Sequence, residues 1–162
     1  MKIVGVLSDT HACWDNKFIF YFSNCDEIWH AGDIGSELVL SRLQQFKTIR
    51  AVYGNIDGYV LKIICPKILR FRIENVNVLL THIGGYPGNY DFKIRNELYK
   101  NTPDIFVCGH SHILKIVYDE KLGVLCLNPG ASGKYGVHKM RTLLRFVING
   151  NQINNIEIIE LN

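Results

Sequence analysis

Two histidines at the end of an apolar run are the clearest candidates for chemistry in this sequence. The run of residues 105–108 stops at Gly109, and His110 and His112 follow it. We expect an extended segment here, in which residues two positions apart lie on one face, so both imidazoles would reach the same edge and Ser111 would point away. Imidazole is the commonest metal ligand in proteins, and neutral nitrogen ligands suit Zn, Mn, Fe and Ni. Four other apolar runs end in the same way, at an aspartate, a histidine or an asparagine. The candidate metal ligands are Asp9, His11, Asp33, Asn55, His82, His110 and His112.

These candidates form a donor set that suits a pair of divalent metal ions. They comprise two carboxylates, one amide and four imidazoles, and they include no thiolate. Two divalent ions at about 3.5–4 Å form a clamp for in-line displacement at phosphorus. Such a pair needs a bridging carboxylate to offset the repulsion between the ions, and neutral ligands to complete the coordination. The set therefore fits Mn, Fe or Zn better than it fits a structural zinc site built from cysteines.

A mixed α/β fold would bring these residues together, and the hydrophobic pattern predicts one. The first third of the chain has a β-α-β-α-β pattern, which implies parallel strands joined by right-handed crossovers. The rest is rich in hairpins, so we expect two packed sheets with helices outside, in a single domain over residues 1–162. Ligands bind beyond the carboxyl ends of the strands in such sheets, and the candidates lie at five of these ends.

The predicted elements cover most of the chain. Strands are expected at residues 2–7, 26–31, 48–53, 68–73, 76–81, 104–108, 113–118, 124–127, 141–148 and 152–160. Helices are expected at residues 14–24, 37–46 and 91–100, and Ser36 is the expected N-cap of the second. The glycine-rich segment 84–88 is expected to be a loop.

Composition and charge argue against several classes of protein. Hydrophobic residues make up 48% and charged residues 20% of the chain, as in ordinary globular proteins. The formal charge of +3, without a run of Lys or Arg, gives no case for nucleic-acid binding. Five scattered cysteines without a Cys-x-x-Cys motif are expected to be reduced, which predicts a cytoplasmic protein. Neither a signal peptide nor an apolar stretch of about 18 residues is found, so no membrane association is expected.

The ordered motifs resemble those of the calcineurin-like metallophosphoesterases. They are Ser8-Asp9-Thr10-His11, Gly32-Asp33, Gly54-Asn55, Thr81-His82 and Gly109-His110-Ser111-His112. Residues 128–132, Asn-Pro-Gly-Ala-Ser, are similar to a segment of the family's small bacterial and archaeal phosphodiesterase branch. A single Gly-Asp pair carries little information, whereas five motifs in order over most of the chain are highly specific.

The resemblance implies a fold, a reaction and a role for each candidate residue. The fold would be a four-layer α-β-β-α sandwich of two mixed sheets with helices outside. One metal ion would be held by Asp9, His11 and His112, and the other by Asn55, His82 and His110. Asp33 would bridge the two ions, and Asp33, Asn55 and His82 would be the catalytic residues. The protein would be a phosphodiesterase in which a metal-bound hydroxide attacks a small phosphate ester. Mn²⁺ is the first expectation for both ions, with Fe, Zn and Ni as alternatives.

One position departs from the pattern of the family. Many members have a histidine directly after the motif asparagine, where it assists the leaving group or steadies the transition state. This chain has Ile56 there, and isoleucine cannot donate a proton. General acid catalysis typically contributes about 10²–10⁴-fold. The phosphodiesterase branch commonly lacks this histidine, so the departure favours good leaving groups or a slower enzyme rather than loss of activity.

Three further polar residues are expected to have structural roles. His30 lies in a strand just before Gly32, and we interpret it as structural or as support for the metal ligands. Asp57 is expected to stabilise its own turn. His138 is expected to be an ordinary surface residue in a loop.

Other functions stay open at the level of sequence. The small scaffold subunit of the retromer coat has this fold and serves mainly in protein binding, but its metal motifs are degraded. Every ligand position is filled here, which argues against a pure scaffold. A nuclease is a third hypothesis, and the missing basic stripe argues against it. The branch often self-associates, so a homodimer is a further expectation.

Overall fold

Two five-stranded sheets pack face to face in the computed structural model, which describes residues 1–161. The strands are β1 (Lys2–Leu7), β2 (Glu27–His30), β3 (Thr48–Ala51), β4 (Ile68–Ile73), β5 (Val76–Thr81), β6 (Gly85–Tyr86), β7 (Asn89–Tyr90), β8 (Ile105–Val107), β9 (Leu114–Asp119), β10 (Val124–Pro129), β11 (Thr142–Asn149) and β12 (Gln152–Glu160). The helices are α1 (Lys17–Tyr21), α2 (Glu37–Phe46), α3 (Tyr59–Ile64) and α4 (Phe92–Lys100).

Both sheets are mixed, and each contains three parallel strands. The first sheet has the order β12-β11-β1-β2-β3, in which β1, β2 and β3 are parallel. The second has the order β4-β5-β8-β10-β9, in which β5, β8 and β10 are parallel. The remaining strands pair antiparallel with their neighbours. The parallel segments carry the candidate ligands at their carboxyl ends, as the β-α-β pattern predicts.

Alternation along the strands divides the apolar residues into layers. Val4 and Val6 of β1 share one buried cluster with Val78 and Leu80 of β5, which places these four side chains between the sheets. Trp29 lies in the same layer, with its ring centroid 5.1 Å from that of Phe71 and 5.5 Å from that of Phe146. Side chains on the other faces belong to two separate clusters that include the helices.

These outer clusters complete a four-layer arrangement. The outer face of the first sheet is covered by helices that contribute Phe18 from α1, Leu40 from α2 and Leu61 from α3. The outer face of the second sheet is covered by α4, through Ile94 and Leu98. The predicted α-β-β-α sandwich of two mixed sheets with helices outside is thereby confirmed.

The helices differ in how well their sequence signals predict them. The bounds of α2 are those predicted, and the Ser36 hydroxyl accepts a hydrogen bond from the Leu38 amide at 3.1 Å. The prediction of a helix over residues 14–24 is wrong, because α1 is only five residues long. Beyond its C-cap Phe22, the Ser23 hydroxyl donates to the Phe20 carbonyl, an acceptor that a further helical turn would use.

Two short elements are missing from the prediction. Helix α3 follows a segment interpreted only as a turn, and Leu61 is its one buried residue, so it has hardly any apolar periodicity. The predicted loop 84–88 contains β6 and the turn at Pro87 and Gly88, where Gly88 has a φ of 84°, and β7 follows directly as the second strand of a short ribbon. Within residues 1–161, no helix has the length and apolar character needed to cross a membrane.

Candidate metal centre

The structure brings six of the seven candidate ligands into two adjacent groups. Within each group, the nitrogen and carboxylate oxygen atoms that could bind an ion all lie within 4.8 Å of one another. The first group is Asp9, His11 and His112, and the second is Asp33, His82 and His110. Asn55 lies beside the second group, with Oδ1 at 3.0 Å from His82 Nε2. The ligand roles of these residues stay predictions.

An orphaned carboxylate oxygen marks the first group. Asp9 Oδ2 accepts hydrogen bonds from the Ser8 hydroxyl at 2.5 Å and from the His110 amide at 3.1 Å. Asp9 Oδ1 is buried and has no hydrogen-bond partner in the part of the chain that the structure describes, although His112 Nε2 lies 3.1 Å from it. His11 Nε2 is 3.8 Å from the same oxygen and 3.1 Å from His112 Nε2. A buried carboxylate oxygen is costly without a partner, and a cation among these three atoms would satisfy it.

In the second group, the ring of His82 is fixed by the backbone. His82 Nδ1 lies 2.7 Å from the Ala31 carbonyl, to which it donates. A neutral ring therefore directs the Nε2 lone pair toward oxygen atoms, since Asp33 Oδ2 is 3.3 Å away and Asn55 Oδ1 is 3.0 Å away. Acceptors that face one another need either a proton or a cation between them. This donor set fits a divalent ion as well.

The two groups lie next to each other at Asp9 and His82. His82 Nε2 of the second group lies 4.0 Å from the orphaned Asp9 Oδ1 of the first. The rings of His82 and His110 have centroids 5.2 Å apart in an edge-to-face arrangement. Asp33, expected to bridge two ions, lies with His82, and its other oxygen accepts from the Ile56 amide at 3.0 Å. Its role as a bridge stays a prediction.

The backbone at the candidate ligands is unusual. Among residues 1–161, eight non-glycine residues have positive φ, and five of them are candidate ligands. These five are Asp9 (53°), His11 (46°), Asp33 (50°), His110 (67°) and His112 (58°). Such conformations cost of the order of 1 kcal/mol or more each and cluster at functional sites, where the surrounding structure enforces them. The strained backbone thus occurs at residues that are candidate metal ligands.

These angles correct the explanation for the spacing of the last motif. If residues 110–112 were an extended segment, His110 and His112 would share one face and Ser111 would point away. β8 ends at Val107, however, and both histidines have left-handed backbone, so strand alternation does not apply. The left-handed backbone at these two residues presents the rings instead. The amide of Asn128 holds this loop by donating to the Gly109 carbonyl at 2.8 Å and to the Ser111 hydroxyl at 3.1 Å.

Glycines give the ligands room at two of the motifs. A Cβ atom on Gly109 would lie 2.7 Å from Asp9 Oδ2 and would also clash with the Ser8 hydroxyl. A Cβ atom on Gly54 would clash with Asp33 Oδ1 and with the backbone of Asp33. Only glycine leaves these carboxylates where they are, so the Gly-His and Gly-Asn motifs have a steric reason.

Asp57 connects the loops of the first sheet that carry Asp33 and Asn55. Its carboxylate accepts from the amides of Ile34 at 3.1 Å, Gly35 at 2.6 Å and Gly54 at 2.8 Å. Asp57 therefore supports its own turn, as predicted, and also the neighbouring loop.

His30 has a comparable structural role beneath the centre. It is fully buried, its Nδ1 accepts from the Gly32 amide at 3.2 Å, and its Nε2 lies 2.9 Å from the Thr10 hydroxyl. That hydroxyl donates to the Ile34 carbonyl, so it accepts from His30. The ring thereby ties the loop after β1 to the loop after β2.

His138 is the residue of the centre that sequence reasoning missed. The sequence predicts an ordinary surface residue, but His138 is half-buried, and its Nδ1 lies 3.1 Å from Nδ1 of His112. Its other nitrogen, Nε2, lies 3.0 Å from the Gly133 carbonyl, to which it donates. His138 Nδ1 therefore accepts from His112 Nδ1, and the lone pair of His112 is left on Nε2, which faces Asp9. No local signal in the sequence marks this contact, which spans 26 positions.

Burial and charge shift the pKa values of the buried groups. Burial is the largest influence on His82 and lowers its pKa, but the hydrogen bond to Asp33 and the charge of Asp9 together outweigh it, so the pKa is raised. Burial raises the pKa of Asp33, but the hydrogen bond and charge of His82 outweigh it, so the pKa is lowered. For His30, burial and then the charge of His82 lower the pKa to about 3, so the ring is neutral. Burial also lowers the pKa of His112.

Two cavities flank the second group. One, of about 350 Å³, is lined by the candidate ligands Asn55 and His82 together with residues of α3, α4 and the start of β4. The other, of about 500 Å³, lies on the side of His110 and includes the ribbon of β6 and β7. Ile56, which directly follows Asn55, is 48% exposed. The centre is thus buried at Asp9 and open at Asn55 and His110.

Comparison with known proteins gives an independent line of evidence. The model of the calcineurin-like phosphoesterase superfamily domain matches residues 1–151. A probable metallophosphoesterase of Methanocaldococcus jannaschii is 32% identical over 136 residues, which are 80% of this chain and 67% of that protein.

Solved structures resemble the chain over nearly its whole length. A novel archaeal phosphodiesterase has a TM-score of 0.79 at 24% identity, covering 98% of this chain and 99% of its own. Wild-type Vps29 of Entamoeba histolytica, solved with Zn²⁺, has a TM-score of 0.75 at 16% identity, covering 98% of each chain. At these identities, the likenesses establish the fold alone.

Proposed function

Since the chain belongs to the calcineurin-like phosphoesterase superfamily, we propose that it is a two-metal phosphodiesterase acting on a small phosphate ester. Membership of this family implies divalent metal ions, and the two residue groups of the centre could hold them. The observation that carries the proposal is the buried oxygen Asp9 Oδ1, which lacks a hydrogen-bond partner while imidazoles of both groups lie within 4.0 Å of it.

Each group of this centre has a distinct part in the proposed reaction. Asp9, His11 and His112 would hold one ion, and Asp33, Asn55, His82 and His110 would hold the other. The bound ions would supply an activated water and would neutralise charge on the phosphoryl oxygens. Mn²⁺ is the ion we propose, with Fe, Zn and Ni as alternatives.

The chain's own side chains would position the substrate. Asn55 and His110 are exposed while Asp9 and Asp33 are buried, so the phosphate would approach from the side of Asn55 and His110. Ile56 on that side offers no proton to a leaving group, which favours esters whose leaving groups depart unassisted. Because the centre draws on both sheets, we also propose that the chain acts as one domain. A homodimer and a cytoplasmic location stay predictions.

Turnover of an aryl phosphodiester tests the proposal. Purified protein with Mn²⁺ should hydrolyse bis(p-nitrophenyl) phosphate faster than it hydrolyses p-nitrophenyl phosphate. The double variant Asn55→Ala, His82→Ala is the control for metal-catalysed background. If the wild-type protein binds metal yet is no more active than this variant, the enzyme hypothesis fails.

A non-catalytic scaffold is the alternative, and an exposed apolar surface gives it some support. Tyr59, Val60, Ile63 and Ile64 of α3 are each 48–79% exposed. A stoichiometric partner whose binding survives His110→Ala, in a protein without turnover, would favour this alternative. The complete donor set at the centre favours the enzyme.

A further inference from the structure

The cavity of about 350 Å³ beside the second ligand group has a wall rich in lysine. Lys62 comes from α3, Lys67 lies just before β4, and Lys93 lies in the first turn of α4. Three separate segments of the chain thus bring lysines to one cavity. Asn55 and His82 also line it, so the cavity is continuous with the candidate metal centre.

These lysines lack acidic partners. Among residues 1–161, no ion pair includes Lys62, Lys67 or Lys93. The one carboxylate of the wall, Asp91, accepts a hydrogen bond from the Lys93 amide at 2.9 Å as the N-cap of α4. Lys62 Nζ lies 5.9 Å from the ring centroid of Tyr53, and Lys93 Nζ lies 5.4 Å from that of Phe92. Both distances are near the outer limit of cation–π contact, so each ammonium can still bind an anion. The cavity therefore has an excess of positive charge.

The cavity on the other side of the centre differs in this respect. There, Arg95 Nε donates to the Tyr90 carbonyl at 2.9 Å. Lys115 Nζ lies 3.6 Å from the ring centroid of Tyr86, in close cation–π contact. The cations of that cavity already have protein partners, so an anion has less to gain from binding there.

We propose that the natural substrate carries a second phosphate, which binds to Lys62, Lys67 and Lys93 while the scissile phosphodiester lies at the metal centre. This proposal rests on the proposed function, because it assigns the substrate class of the same site. The organic group between the two phosphates would occupy the cavity, whose wall includes the ring of Tyr53 and the side chains of Ile68 and Ile94. A phosphodiester with a phosphomonoester on one of its alcohols is the class that this arrangement suits.

A matched pair of chromogenic substrates tests the proposal. Both are p-nitrophenyl esters of thymidine 5′-phosphate, and one carries an added phosphate on the 3′ oxygen. In both, water adds to the 5′ phosphorus, the bond to the aryl oxygen breaks, and p-nitrophenolate leaves with the electron pair. The wild-type protein should have at least about tenfold higher kcat/KM for the substrate with the 3′-phosphate, because bonds between charged groups are the stronger class of hydrogen bond. The gain should appear in KM, since these contacts are made equally in the ground and transition states.

Variants of the wall locate the effect. In the triple variant Lys62→Gln, Lys67→Gln, Lys93→Gln, the ratio between the two substrates should fall to near one. Lys100→Gln, on the exposed end of α4 and outside the cavity wall, is the matched control and should keep the ratio. The single variant Lys67→Gln should give an intermediate ratio. This variant provides the test if the triple variant folds poorly.

Binding separates a failure of this proposal from a failure of the proposed function. Calorimetry with thymidine 3′,5′-bisphosphate and thymidine 5′-phosphate needs no turnover. Tighter binding of the bisphosphate by about tenfold, lost in the triple variant, would support the lysine site even in an inactive protein. Equal binding of the two nucleotides, or a preference that survives in the triple variant, would overturn it, whatever the activity.

Discussion

The two ligand groups of the candidate centre are held in different ways. In the second group, His82 is oriented by a backbone carbonyl, that of Ala31 at the end of β2. In the first group, His112 is oriented by another side chain, His138, from the loop between β10 and β11. A carbonyl at the end of a central strand moves only with the sheet, whereas a loop side chain can rotate away. The fold itself therefore presents the second group, while the first depends on one additional residue.

Asp9 is where the two groups meet, and its loss should have the largest effect. Its orphaned oxygen lies 3.1 Å from His112 Nε2 and 4.0 Å from His82 Nε2. Asp9→Asn should weaken metal binding in both groups and lower kcat by about 10³-fold, since an ion supplies several kcal/mol of transition-state stabilisation. Metal analysis and turnover of an aryl phosphodiester measure this. Asp15→Asn, which alters a carboxylate paired with Arg141 instead, is the control. If the Asp9→Asn variant still bound two ions with unchanged affinity, Asp9 would not be a residue that both groups depend on.

The second largest effect should come from His138, and it should be confined to one group. His138→Ala should lower the affinity of the first group for its ion by about 10–100-fold, because residues that orient a metal ligand have effects of this size. The ion of the second group should keep its affinity. Titration calorimetry with Mn²⁺ resolves the two, and Lys139→Ala in the same loop is the control. His138→Gln, which keeps a hydrogen-bond acceptor, should recover part of the loss. An equal loss of affinity for both ions would show that His138 does not support the first group alone.

A smaller effect should appear in the pH dependence of stability, through His30 beneath both groups. Burial lowers its pKa to about 3, so between about pH 4 and pH 6.5 the unfolded chain binds a proton there that the folded protein does not. The free energy of unfolding should therefore rise with pH in this window, by up to about 1.4 kcal/mol per pH unit. In the metal-free protein, His30→Gln should remove this contribution. Urea unfolding at several pH values measures the two slopes, and equal slopes would contradict the buried neutral ring.

Much of the fold follows from local signals. The predicted bounds of β1, β4 and β5 are those observed, because each is an apolar or alternating run with a clear break at its end. The ends of the parallel strands then place the candidate ligands together, since topology alone brings those ends to one edge. The sequence also shows that isoleucine follows the motif asparagine, and the side chain of Ile56 is exposed next to Asn55.

What the sequence did not predict depends on contacts between distant residues. α3 has too few buried positions to show a helical period, and the aromatic spacing around α1 does not show that this helix ends at Tyr21. The left-handed backbone at His110 and His112 replaces the extended segment that their spacing suggested. The contact of His138 with His112 forms only when a distant loop folds against the centre. Such features require three-dimensional packing and leave no local pattern.

The central claim is that two adjacent groups each hold one ion, and the stoichiometry of Mn²⁺ binding tests it most directly. Titration calorimetry, checked by metal analysis of the same samples, should give two ions per chain for the wild-type protein. His112→Ala should keep the ion of the second group, and His82→Ala should keep the ion of the first, so each variant should bind one. A wild-type protein that binds a single ion, or a variant of either histidine that still binds two, would contradict the account.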